Sequence, residues 1–143
     1  MKSILVFSVC VMLLASLSLG VAQEAVVLVT HNAIAANSMT KQKIAELYDG
    51  SSKLIGDTEA RLYTLPADHP ATLSFYKTVL NMTPQTFNQH WLKKMFAGGG
   101  SPPAKISSAQ EMIKVVSSTP GAVGFVSKSE GEKASGCKVI RVE

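Results

Sequence analysis

Asp68-His69-Pro70-Ala71-Thr72 holds the most chemistry per residue in this chain. An acid, an imidazole and a hydroxyl surround a proline suited to the first turn of a helix. A helix that begins there offers backbone N–H groups, and with the Thr72 hydroxyl these suit an oxyanion. The competing reading is that Asp68 or His69 only caps the helix, and the residues alone favour capping. Thr30-His31-Asn32 is a second polar cluster, placed directly after an apolar run. Elsewhere the chemistry is thin. His31, His69 and His90 lack metal-ligand spacing, so no metal site is expected. Asp68 beside His69 matches part of a catalytic triad, but no Gly-x-Ser-x-Gly turn accompanies it, so the chain is not read as an enzyme. Lys93-Lys94 before Gly98-Gly99-Gly100 suits an anion nest or, more plainly, a solvated helix end with cations at its negative pole. Trp91 reads as core, and Cys137 as a buried rather than a reactive thiol. No cofactor is implied.

These residues must be held by a modest frame. The chain has 143 residues, 46% hydrophobic and 17% charged, with 14 Lys+Arg against 10 Asp+Glu. That allows one domain and excludes intrinsic disorder. Lys2, an apolar run over residues 4–19 and the small residues Gly20-Val21-Ala22 form the three-part pattern of a secretory signal peptide, with cleavage after Ala22. Residues 1–22 are then the signal, and 23–143 the domain. Cys10 and Lys2 leave with it, so Cys137 has no partner for a disulfide. The 14 bases less Lys2 leave 13 against 10 acids, a net +3. The lysines are scattered without interleaved aromatics, so no nucleic-acid partner is expected.

Residues 25–30 are a continuous β-branched run, the mark of a strand buried on both faces in a parallel sheet. Residues 31–38 read as a loop. Residues 39–48 read as a helix with Ile44, Leu47 and Tyr48 inward, capped by Ser38 or Thr40 and stopped at Asp49-Gly50. Residues 51–59 read as loop and 60–65 as a second strand. Helices follow at 70–80, with Leu73, Phe75, Tyr76, Val79 and Leu80 as core, and at 84–96, with Phe87, Trp91 and Met95 as core. Ser108 to Glu111 is a capping box that opens a helix to about 117. Residues 122–126 and 137–142 read as strands, with 128–136 as loop. Gly121 and Gly124 serve turning and close packing. The order β-α-β-α-α-α-β-β predicts an α/β fold with a mainly parallel sheet flanked by helices. Ligands of such sheets sit beyond the carboxyl ends of the strands. That rule joins Thr30, His31 and Asn32 with Asp68, His69, Ala71 and Thr72 in one candidate ligand site.

Met39-Thr40-x-x-x-Ile44-x-x-Leu47-Tyr48-Asp49-Gly50 resembles the L-T-x-x-x-L-x-x-I-F-x-G segment of periplasmic phosphate-binding proteins. Pro120-Gly121-Ala122-Val123-Gly124-Phe125-Val126 resembles their P-G-A-I-G-Y-V strand. Between them, the strand, the helix start at residues 68–72 and Phe75-Tyr76 follow in the family's order. The likeness covers nearly all of residues 23–143, and it also extends to the short phosphate transporter substrate-binding proteins. It implies a single lobe of the type II periplasmic binding-protein fold, no enzymatic activity, a phosphate-like oxyanion as ligand, and an ABC permease or membrane sensor as partner. The family binds phosphate between two lobes, and its Gly-rich G-A-G-A/S-S/T loop has no counterpart before the first motif here. Against the family's R-x-D-G-S-G-T, Asp68 matches the Asp and Thr72 the Thr. Pro66 stands in place of the Arg, and His69, Pro70 and Ala71 replace Gly-Ser-Gly. That removes a bidentate charge-assisted contact, a hydroxyl and a backbone donor.

Two functions fit this picture. One is capture of phosphate or another small oxyanion for an importer or sensor, with His69 adding affinity when protonated as pH falls towards about 6. The other is a binding module that has lost its solute and acts through protein-protein contact.

Overall fold

The computed structural model describes residues 24–143; the signal peptide expected over residues 1–22 lies outside them. β1 (Val26–Thr30) is the β-branched run. β2 (Ser38–Met39) is a short strand where the sequence suggested the end of a loop and the start of a helix. α1 (Lys41–Tyr48) therefore begins two residues later than its apolar pattern. Thr40 caps it, accepting the Lys43 N–H at 3.3 Å, and Ile44, Leu47 and Tyr48 are buried as expected.

β3 (Leu54–Ile55) and β4 (Thr58–Glu59) form a small hairpin in the stretch expected to be loop. Gly56-Asp57 makes its two-residue turn, a signal that was present in the sequence. β5 (Arg61–Thr64) leads to α2 (Pro70–Phe75), which continues as a π-helical segment, Tyr76–Leu80. Next come α3 (Pro84–Phe96) and β6 (Ala104–Lys105). Thr83 caps α3 in a reciprocal box with Thr86. α4 (Ala109–Ser118) opens on Ser108, which accepts the Glu111 N–H at 3.2 Å. β7 (Ala122–Ser127), α5 (Lys128–Glu132) and β8 (Lys138–Val142) complete the described chain. α5 replaces an expected loop; Ser127 caps it by accepting the Glu130 N–H.

The main sheet has the order β2-β8-β1-β7-β5-β6. β2 with β8, β7 with β5 and β5 with β6 are parallel, whereas β1 is antiparallel to both β7 and β8. All strands but β1 therefore point one way, which makes the mainly parallel sheet that the element order implied. β1 sits near the centre with Leu28 and Val29 fully buried, between Phe125 on β7 and Ile140 on β8.

On one face of the sheet Phe125 stacks on Phe75 (centroids 4.1 Å apart, planes at 9°), and Tyr48 meets Phe75 edge-on at 4.9 Å. The Tyr48 hydroxyl donates to the Tyr63 carbonyl at 2.8 Å, so its buried polar end is satisfied. On the other face α4 lies on Gly124, where a Cβ would come within 2.3 Å of Met112 Sδ. Gly124 thus sets how closely helix and sheet approach.

Two expected core residues are outside. Leu73 is 47% and Met95 50% exposed. α2 buries Ala71, Thr72, Ser74 and Phe75, which turns Leu73 outward. In α3 each four-residue step overshoots a full turn by about 40°, so the stripe through Phe87 and Trp91 has rotated off the core by Met95. No helix among the described residues is long and apolar enough to cross a membrane.

Burial, with the Tyr76 phenol nearby, pushes Tyr48 well above the ordinary phenol range, and burial also raises Tyr76. An unfolded chain ionises both near the ordinary phenol value of 10.0, while the folded one keeps its protons. The folded state then binds more protons, so stability is intact below pH 10 and declines as pH rises above it. Urea midpoints measured at pH 8 and pH 11 should fall, and Tyr48→Phe should flatten that fall. An equal fall in Tyr48→Phe assigns the effect to other groups.

Candidate functional site

The two polar clusters do not meet. Thr30 pairs with Val123 and the His31 N–H donates to the Ala122 carbonyl at 3.0 Å, so residues 30–32 lie where β7 begins. Asp68 to Thr72 follow the end of β5, which runs parallel to β7 with Leu62 opposite Val123. They therefore lie at the opposite edge of the sheet. The Ser74 hydroxyl of α2 donates to the carbonyl of Glu24, at the entry to β1 rather than its exit. The physical reason is the reversed direction of β1. Its carboxyl end points away from the edge where the other strands end, so the parallel-sheet rule that joined the clusters does not apply to it.

Residues 31 and 32 are engaged locally. His31 Nδ1 accepts the Ala33 N–H at 3.1 Å, and the Asn32 amide donates to the Gly136 carbonyl at 3.0 Å. Thr30 is fully buried, and its hydroxyl has no partner among the described residues.

At the other edge Asp68 is exposed and His69 half-buried. His69 caps α2: its Nδ1 accepts the Ala71 N–H at 3.2 Å. The Thr72 and Leu73 N–H groups both donate to the His69 carbonyl, at 2.9 and 3.1 Å. Pro70 has no N–H. The donors expected to be open at this helix start are therefore already occupied, and an anion reaches the Ala71 N–H only by displacing the His69 ring. Ala71 and Thr72 are fully buried, and the Thr72 hydroxyl, like that of Thr30, has no partner among the described residues. An unmatched buried hydroxyl costs about 1–3 kcal/mol, so two in one small core call for an explanation.

The hollows described among residues 24–143 are lined by other residues. One, of about 240 Å³, lies beside α2 at Ser74 and Thr78, with Glu24, Ala25 and Lys41. Another, of about 220 Å³, lies between Leu47, Lys53, Glu59, Trp91 and residues 99–103. Next to the latter Trp91 is buried, as expected, while Lys94, read as part of a solvated helix end, is turned onto α1. Lys94 Nζ donates to the Asp49 carbonyl at 2.9 Å, His90 Nε2 to the same oxygen at 2.8 Å, and the Trp91 indole to the Tyr48 carbonyl at 2.9 Å. Three side chains of α3 thus satisfy the last carbonyls of α1. Lys94 serves the negative pole of a neighbouring helix as well as lying near the end of its own. Among the described residues no group of His, Cys, Asp or Glu is arranged to hold a metal.

No protein-family model and no curated protein matches the sequence. Solved structures do. PstS from Borrelia burgdorferi superposes with a TM-score of 0.66 at 16% identity, over 84% of this chain and 47% of that one. An ABC-type phosphate transport receptor from Vibrio cholerae gives 0.61 at 17% identity, over 83% and 46%. This chain thus spans about half the length of either. The architecture derived above, a mainly parallel sheet between helices with one reversed strand, is the periplasmic binding-protein-like fold of phosphate ABC transporter substrate-binding proteins.

Proposed function

We propose that this chain is an exported, periplasmic solute-binding-like protein, with residues 23–143 as its domain, that captures phosphate or another small oxyanion for an ABC importer or a membrane sensor. The observation that carries the reading is the Thr72 hydroxyl, fully buried and unpartnered at the start of α2. It stands beyond the carboxyl end of β5, in a fold shared with phosphate-transport proteins. The site is Asp68, His69, Ala71 and Thr72. Thr30, His31 and Asn32, at the far edge, belong to a second surface and not to this one.

His69 is the gate. While it caps α2, its Nδ1 lone pair holds the Ala71 N–H. An anion gains that donor when the ring swings aside. Asp68 accepts the proton of a hydrogen-phosphate, which favours the singly charged ion.

Titration calorimetry with phosphate tests this, and binding is expected in the millimolar range or tighter. Thr72→Val keeps the shape and removes the orphan hydroxyl, so it should leave stability equal or raise it by about 1 kcal/mol while weakening binding about tenfold. No heat at millimolar phosphate ends the proposal.

A further inference from the structure

Residues 69–110 contain no Asp or Glu, yet they hold Lys77, Lys93, Lys94 and Lys105. Residues 24–143 carry 13 bases and 10 acids, a net +3; without these four lysines the remainder is net −1. The positive balance of the described chain therefore comes from this one segment. The same segment carries Leu73, Leu92, Met95 and Phe96, four of the six large apolar side chains exposed among the described residues.

Three of the four share one face of α3. Leu92, Met95 and Phe96 stand at i, i+3 and i+4, while Phe87 and Trp91 bury the opposite face. Phe96 is 86% exposed and is the last residue of the helix, just before the positive-φ turn at Gly98 and Gly100. The rest of the outward face is uncharged or basic: Gln85, Asn88, Gln89 and Lys93, all exposed. Lys94 is turned inward onto Asp49.

We propose that the outer face of α3, centred on Leu92, Met95 and Phe96, is a docking face for an anionic lipid bilayer. An amphipathic helix with apolar side chains flanked by lysine settles at the headgroup boundary, apolar side down. Lys93 attracts the headgroup phosphates, and α3 itself carries no carboxylate to oppose contact. Leu92, Met95 and Phe96 line none of the described hollows, and a deformable surface needs no matching cavity. This reading does not depend on the phosphate site at Thr72, which is on another helix.

The test uses the chain from Gln23 onward, which contains every core residue described, and flotation with vesicles at low salt. Binding to phosphatidylglycerol vesicles is expected to exceed that to phosphatidylcholine vesicles. Lys93→Gln should weaken it by about fivefold, and the combined Leu92→Ser, Met95→Ser, Phe96→Ser variant by more than about tenfold. All four positions are exposed, so melting temperatures should stay unchanged, which separates lost docking from lost folding. Three results overturn the proposal: no binding to anionic vesicles, binding that the triple variant retains, or a solution dimer that the triple variant dissolves, which would assign the face to a second copy.

Discussion

Phe125→Ala is expected to cost about 3–5 kcal/mol and to lower the melting temperature by roughly 10–20 °C. Phe125 is fully buried on β7, lies flat against Phe75 and comes within 6.2 Å of the Tyr48 ring. It joins the sheet to both α1 and α2. Alanine removes the ring from both contacts, and neighbours held by two different helices cannot both move in to close the gap. Domains of this size are stable by about 5–15 kcal/mol, so the loss leaves a folded but marginal protein. Urea unfolding followed by tryptophan fluorescence is a direct readout, because Trp91 is the only tryptophan. A loss under 1 kcal/mol would show that the aromatic cluster is not the centre of the core.

Gly121→Ala should be comparably severe, at about 3 kcal/mol. Two costs combine there. Gly121 has φ +79, where an L side chain pays about 1–2 kcal/mol. A Cβ at that position would also lie 2.5 Å from the Glu59 carbonyl oxygen, which is backbone and cannot swing away. The Gly121 carbonyl accepts the Arg61 N–H at 2.8 Å, so a shift in the turn also disturbs the β5–β7 pairing. Gly56→Ala is the control. Its φ is +58, but nothing lies within 4 Å of the added carbon. It should lose only the conformational part, about 1 kcal/mol. If the two variants melt together, the contact with Glu59 contributes nothing.

Much of this fold was legible in the residues. The Thr40 and Thr83 caps, the inward Ile44, Leu47 and Tyr48, and the glycine under Met112 all follow from local chemistry that tertiary packing then reinforces. Other features carry a signal that is weaker but still local. Gly56-Asp57 between Leu-Ile and Thr-Glu is a hairpin turn, and Ser127-Lys128-Ser129-Glu130 has capping-box spacing, which marks the start of α5. A third group has no local signature. β2 and β6 are two residues each, too short for any periodicity, and exist because a neighbouring edge is available.

The direction of β1 belongs to that third group, and it decided the site. A run of buried β-branched residues reads the same whether its neighbours are parallel or antiparallel. With β1 taken as parallel, Thr30-His31-Asn32 and Asp68 to Thr72 fall at one edge; the antiparallel pairing with β7 and β8 sends them to opposite ends. The capping reading of His69, drawn from residue preference alone, agrees with its bond to the Ala71 N–H.

The position of β1 also bears on the order of events during synthesis. The third strand across the sheet is the first of the described strands in sequence, yet its neighbours, β7 and β8, begin only at Ala122 and Lys138. A nascent chain that stops short of Ala122 leaves β1 with neither. Closure of the sheet must wait for residues 122–142, because these pairings span more than 90 residues and distant pairings form slowly.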